Sequence, residues 1–263
     1  MDRLLLVAST FCFLLAVVRT ALLIRTRTFR PGRSNFLAIV AGFLLQTTFL
    51  AVRGHALGRC PLTNLFEVFI FMAWSVALIY MVVGPTYRLS LMGAFTAPLV
   101  LLIQTFALLV LSDSPHAPKM EVNPWLEFHA SMSIVAYGAF ALACIAGLMY
   151  LLQERQLKTH QLHSVFHHLP PLTDLYAAIV RLLWLGFGLY TVGLVSGFFT
   201  GEPLPRVKMV CAIAVWVFYG AILQGRLLFR VAPRHVAMLC VVAFVAAVSV
   251  LWAITFVSQR GSV

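Results

Sequence analysis

Apolar residues run through this chain in long unbroken blocks, and polar residues gather in the short stretches between them. A run of about 20 apolar residues is enough for a helix to cross the hydrocarbon core of a bilayer. Eight blocks approach or exceed that length, at residues 3–24, 35–52, 64–83, 89–112, 126–152, 177–199, 208–225 and 235–257. They predict an all-α, polytopic membrane bundle of about eight transmembrane helices. Little chain remains for a separate soluble unit, so residues 1–263 read as a single integral membrane domain. The first block reads as a retained span, because it passes through "VVRTALLIRTR" into a basic loop and shows no small-residue cleavage site. Composition agrees: 62% hydrophobic, 10% charged and a mean hydropathy of +0.96 exclude a soluble globule.

The distribution of Lys and Arg sets an expected orientation. Arg25, Arg27, Arg30 and Arg33 follow the first span, Arg88 the third, Arg155, Lys158 and Arg181 surround the loop after the fifth, and Arg226, Arg230 and Arg234 follow the seventh. With eight spans these lie on one side, which is therefore read as cytoplasmic, with both termini outside. The opposite loops mix Arg53, Arg59, Lys119, Arg206 and Lys208 with Asp113, Glu121, Glu127 and Glu202. Topology and anionic lipid account for the net charge of +11 without a nucleic-acid partner. Cys12, Cys144, Cys211 and Cys240 fall within spans and Cys60 alone in an outer loop. No CxxC or CxxCH occurs, which argues against thiol-redox chemistry and against covalent haem attachment to this chain. No internal repeat or low-complexity stretch stands out, and Pro98 interrupts span four alone.

Three places carry candidate chemistry. The inner segment from Gln153 to Val180 holds His160, His163, His167 and His168, which on a helix share one broad face. They read either as metal ligands or as part of an interfacial helix ended by Pro170-Pro171; no carboxylate or cysteine completes a metal site. On the outer side, "PLTN" starts a helix with Thr63 or Asn64 as cap, and Glu67 follows three residues beyond Asn64. Glu67 is the one acid placed inside a span. It is either a functional carboxylate or the acid of a capping box answering the positive helix start. Third, Trp125, His129, Ser133 and Tyr137 are spaced by four and share a helix face, with Ala130, Ala136, Ala139 and Ala143 allowing close helix approach. His129 reads either as an axial ligand for a flat aromatic cofactor such as haem or as an interfacial histidine bonded to a neighbouring helix.

Several stretches resemble one family. "GRCPLTNLFEVFIFMAW", "GAFTAPLVLLIQTFAL", the His129-containing "WLEFHASMSIVAYGAFALACIAGLMYLLQERQLK", "FGLYTVGLVSGFF" and "KMVCAIAVWVFYGAILQGR" are similar, in order and spacing, to the CcsA/CcmC/HemX group of haem-handling membrane proteins. The resemblance covers most of residues 55–230. It implies haem presented on the outer face between axial histidines, beneath a tryptophan-rich loop, with His129 at the position of the histidine preceding that loop. The loop should fall between spans six and seven, where this chain has "TGEPLPRVK", without tryptophan or aspartate. The second outer histidine should precede the last span, but span seven runs through an inner loop into that span and no outer histidine follows; Gln224 stands where an embedded histidine is expected. The chain is therefore closest to the HemX-like branch, and is not read as an enzyme.

The resemblance implies non-covalent haem binding or relay in cytochrome c maturation or haem metabolism at the bacterial inner membrane. His129 is the expected axial ligand, Trp125 and Tyr137 flank the macrocycle with Ser133 on the same face, Asn64 and Glu67 order the neighbouring helix end, Trp74 and Trp216 line the cavity, and Arg226 is a possible propionate partner. Expected partners are other cytochrome c maturation membrane proteins. Two rivals stand: a membrane regulator of a tetrapyrrole-synthesis enzyme, acting through residues 153–176, and a small-solute transporter with Glu67 as its ion site.

Overall fold

A computed structural model describes residues 2–25, 33–83, 92–111, 123–159, 171–201, 206–229 and 231–260. Its elements are α1 (Asp2–Arg25), α2 (Arg33–Leu57), α3 (Leu65–Val83), α4 (Met92–Val110), α5 (Pro124–Thr159), α6 (Leu172–Gly197) with a 3₁₀ turn at Phe198–Thr200, α7 (Arg206–Phe229) and α8 (Pro233–Arg260). All eight helices are long and apolar enough to cross a membrane. A chain in hydrocarbon must satisfy its backbone polar groups internally, and a helix does so within one segment. The protein is a multi-pass, all-helical membrane bundle.

Element ends follow local chemistry. Gly58, at φ +64°, closes α2. Its N–H donates to the His55 carbonyl at 3.3 Å and the Arg59 N–H to the Gly54 carbonyl at 3.2 Å, the paired bonds of a Schellman motif. The expected break at Pro98 does not occur: α4 runs through it, because one missing N–H inside a packed helix is tolerated. The fifth span also continues beyond residue 152. At 36 residues α5 is ~54 Å long against a hydrocarbon core of ~30 Å, so its polar stretch from Gln153 to Thr159 is helix rather than loop. His160, His163, His167 and His168 lie outside the described residues, and Pro171 is the N-cap of α6.

The first four helices and the last four pair in the same pattern. Helix α1 packs on α2 and α4, α2 on α3 and α4, and α3 on α4; the same pairings recur when every helix is advanced by four, as α5 on α6 and α8, α6 on α7 and α8, and α7 on α8. The sequence trace is short. "GFLLQTTFL" at residues 42–50 and "GFGLYTVGL" at 186–194 share Gly, Phe, Leu, Thr and Leu at matching positions. Gly, Phe and Thr have the same job in both halves. A Cβ on Gly42 would lie 2.7 Å from the Phe13 ring of α1, and one on Gly186 2.6 Å from the Phe140 ring of α5. Phe43 stacks on Trp74 of α3 at 5.6 Å, and Phe187 on Trp216 of α7 at 5.5 Å. Thr47 and Thr191 each accept the indole N–H of that tryptophan at 2.9 Å and donate back to the Phe43 and Phe187 carbonyls.

The two halves meet mainly where α3 packs on α5. A Cβ on Gly138 would stand 2.8 Å from the Ser75 backbone, so glycine sets this approach. Helices α3 and α5 are accordingly the most buried of the eight.

Candidate functional site

Four helix ends gather where α2 gives way to α3, hereafter the upper end of the bundle. Asn123 caps α5: its Oδ1 accepts the Trp125 N–H at 3.1 Å and its carbonyl accepts from Leu126 and Glu127, with Pro124 at the first helical position. The Asn123 amide donates to the Thr200 carbonyl at 2.8 Å, which ties the start of α5 to the turn that ends α6.

One turn into α5, the His129 ring lies against the last turn of α6, with Nδ1 2.6 Å from the Gly193 carbonyl oxygen. A carbonyl only accepts, so Nδ1 carries a proton, and in the neutral ring Nε2 keeps the lone pair. Nε2 has no hydrogen-bond partner among the described residues. Two glycines make the seat. A Cβ on Gly197 would stand 2.9 Å from His129 Nδ1 and 3.2 Å from Cε1, and one on Gly193 would stand 2.8 Å from Ser133 Oγ. The Gly193 carbonyl also accepts the Ser196 hydroxyl at 2.6 Å.

The face spaced by four thus meets α6, with His129 and Ser133 at Gly197 and Gly193, and Tyr137 and Phe140 deeper at Tyr190 and Gly186. Trp125 is half exposed and tilts against Phe199 at 5.3 Å. With Phe128, Thr191, Val192, Val195 and Ser196 these two rings line an open apolar groove of about 270 Å³, to which His129 itself does not contribute.

Glu67 answers both readings of it with a structural one. Its N–H donates to Asn64 Oδ1 at 2.8 Å, making Asn64 the cap. Its Oε2 accepts the N–H and the hydroxyl of Thr63, each at 2.7 Å, and its Oε1 accepts Arg53 Nε at 2.9 Å. Both oxygens are engaged on a side chain 1% exposed, the arrangement expected of a carboxylate that holds the helix start. The Arg53 guanidinium also lies over the Phe49 and Phe66 rings. The turn is pinned to α5 by the Cys60 N–H donating to Glu127 Oε1 at 3.2 Å and by Cys60 Sγ 3.6 Å from Ser131 Oγ. Burial pushes the Cys60 thiol pKa up; the Ser131 hydrogen bond opposes this, and the Glu127 and Glu67 charges reinforce it.

Four expected placements change. Tyr137 does not stand open beside His129 but is buried, edge-on to Tyr190 at 6.0 Å and to Phe140 at 6.5 Å, since the tight α5–α6 contact encloses it. Trp74 and Trp216 do not line a cavity with His129, because their indoles are spent on Thr47 and Thr191 in the two repeated clasps. Arg226 lies at the far, lower end of α7, where its Nε donates to Tyr176 Oη at 3.2 Å. Gln224 is exposed on the outside of α7. Sequence reasoning missed Arg53, Glu127, Gly193, Ser196 and Gly197. The G-x-x-x-G spacing of Gly193 and Gly197 was the available signal for the last turn of α6. His55, exposed in the last turn of α2, is a second imidazole at the upper end, and His235 lies at the lower end. No group of three or more metal-ligating side chains occurs among the described residues.

Fold and site together define a polytopic helical membrane protein with one oriented imidazole at the upper end of its second half. Residues 62–260 match the family described as "Cytochrome C assembly protein", and the chain belongs to that family, of the CcsA and HemX type. It is 27% identical over 252 residues to the cytochrome c biogenesis protein CcsA of Synechococcus sp. (strain CC9902), covering 82% of this chain and 81% of that protein. It is 27% identical over 203 residues to CcsA of Chlamydomonas reinhardtii, covering 70% of this chain but only 55% of the relative. It is 26% identical over 183 residues to protein HemX of Brevibacillus brevis, covering 69% of this chain and 67% of that one.

The residues present fit a haem at one axial position. An imidazole whose Nδ1–H is bonded to a backbone carbonyl offers Nε2 in a fixed direction, the usual state of a metal-ligating histidine. The groove at the same two helix ends adds apolar and aromatic surface from Trp125, Phe128 and Phe199.

Proposed function

We propose that this protein handles haem during cytochrome c maturation, holding it non-covalently through Nε2 of His129. The observation that carries the reading is the Gly193 carbonyl bond, which fixes the tautomer and leaves Nε2 as the ligating nitrogen. Similarity to proteins named for cytochrome c biogenesis supports it. Bound iron would supply the coordination and redox chemistry. The chain's own residues orient and shield: Trp125, Phe128 and Phe199 offer apolar surface to the macrocycle edge, Ser133 and Tyr137 hold the α5 face against α6, and Asn64 and Glu67 fix the start of α3 under the same end. Trp74 and Trp216 act at a distance, as clasps.

In this reading the upper end and both termini face outward from a bacterial inner membrane, as the Lys and Arg distribution indicates. Other maturation proteins in that membrane are the partners. The test is an absorption spectrum, oxidised and reduced, of the chain purified in mild detergent from haem-replete cells, beside His129→Ala. A Soret band with near-stoichiometric haem, lost or shifted in the variant, is expected. An unchanged band refutes His129 as the ligand. No band in either protein, even with added haemin, refutes haem binding by this chain alone and favours the regulator acting through residues 153–176.

A further inference from the structure

We infer that Ser196 is a positioning residue that sets how strongly His129 donates through Nε2, acting through the carbonyl the two side chains share; for the haem-bound protein this rests on His129 being the axial ligand. The Gly193 oxygen accepts two hydrogen bonds from side chains, Ser196 Oγ at 2.6 Å and His129 Nδ1 at 2.6 Å. Donors converging on one carbonyl oxygen compete for its lone pairs, so each bond weakens the other. A stronger Nδ1–H bond moves electron density onto the ring and makes Nε2 the better donor. Ser196 therefore moderates the imidazole.

Back-bonding of a hydroxyl to the preceding turn is common in helices and here occurs at Thr47, Thr191 and Ser131 as well. Those bonds are structural. Ser196 differs because its acceptor is the one that orients His129, and because Ser196 is itself buried. Gly193 itself cannot be exchanged to test the idea, since any Cβ there meets Ser133. Ser196→Ala removes the competing donor and adds no atom.

The experiment has two readouts on the full chain in detergent, for the natural sequence, Ser196→Ala and Ser196→Thr. The first needs no cofactor: histidine ¹⁵N shifts of His129. In Ser196→Ala the Nδ1 resonance should move in the direction of a stronger N–H···O bond, and Ser196→Thr, which keeps the hydroxyl, should restore it. The second is the reduction potential of bound haem, which should fall in Ser196→Ala, because a stronger donor favours ferric iron, and recover in Ser196→Thr. Unmoved ¹⁵N shifts in Ser196→Ala overturn the inference whatever haem does. Shifts that move in a chain that takes up no haem support the action of Ser196 on His129 and refute the haem reading separately. A potential that rises in Ser196→Ala overturns the inference.

Discussion

Replacing Gly197 by alanine should empty the site of its function while leaving the fold intact. Gly197 has φ −61° and ψ −27°, a conformation alanine adopts freely. Alanine for glycine within a helix is worth about 0.8–1 kcal/mol. Against that gain, the new methyl would stand 2.9 Å from His129 Nδ1 and 3.2 Å from Cε1. The ring must swing off the Gly193 carbonyl, and a hydrogen bond of that kind contributes about 0.5–1.5 kcal/mol. The two effects offset, so the unfolding free energy should change by less than about 1 kcal/mol, inside the range of most tolerated substitutions. Nε2, however, loses its fixed direction. The assay pairs thermal unfolding in detergent with the haem spectrum of Gly197→Ala beside His129→Ala. A Gly197→Ala spectrum approaching that of His129→Ala, at a near-unchanged unfolding midpoint, is expected. Retention of the natural spectrum would refute the reasoning, and so would a loss of several kcal/mol, which would mean that Gly197 serves the fold.

Arg53→Ala should destabilise the protein by about 3–5 kcal/mol, since it strands the Glu67 carboxylate in a buried position; chemical unfolding measures it, and a loss under 1 kcal/mol would show that Thr63 alone satisfies Glu67. Trp74→Phe and Trp216→Phe should each cost about 1 kcal/mol, the indole hydrogen bond to threonine, and markedly unequal losses would break the equivalence of the clasps. Gly42→Ala and Gly186→Ala press a methyl onto a buried phenylalanine and should each cost about 1–3 kcal/mol by overpacking. Because burial raises the Cys60 pKa, the thiol stays neutral through and beyond the pH at which a free cysteine ionises. A membrane-impermeant maleimide added to whole cells should therefore label Cys60 slowly near neutral pH and faster above the ordinary thiol range. Labelling only after lysis would reverse the proposed orientation.

The eight spans were legible because hydrocarbon leaves a chain few options, and the Asn64–Glu67 start of α3 because a capping box is local. The shared face of His129, Ser133 and Tyr137 was legible too, being a matter of spacing on one helix. What that face meets was not. Whether Tyr137 lines a site or sits in the core depends on Tyr190 and Gly186, which lie on another helix, and the fates of Trp74 and Trp216 depend on Thr47 and Thr191 in the same way. The end of α5 was misplaced because apolar content, which stops near residue 152, reports the edge of the membrane and not the end of the helix. The likeness of the two halves is faint in the sequence because its identities are few and are separated by positions that differ in kind, such as Gln46 against Tyr190 and Phe49 against Gly193.

In the register that this motif sets, Gly197 of the second half corresponds to Arg53 of the first. One half thus keeps a space at its upper end for an imidazole, and the other fills the corresponding place with a guanidinium locked to Glu67. The first half braces that end with a buried ion pair while the second leaves room for a ring, and the two are joined where α3 meets α5, so losses of stability should concentrate in one half and losses of haem in the other.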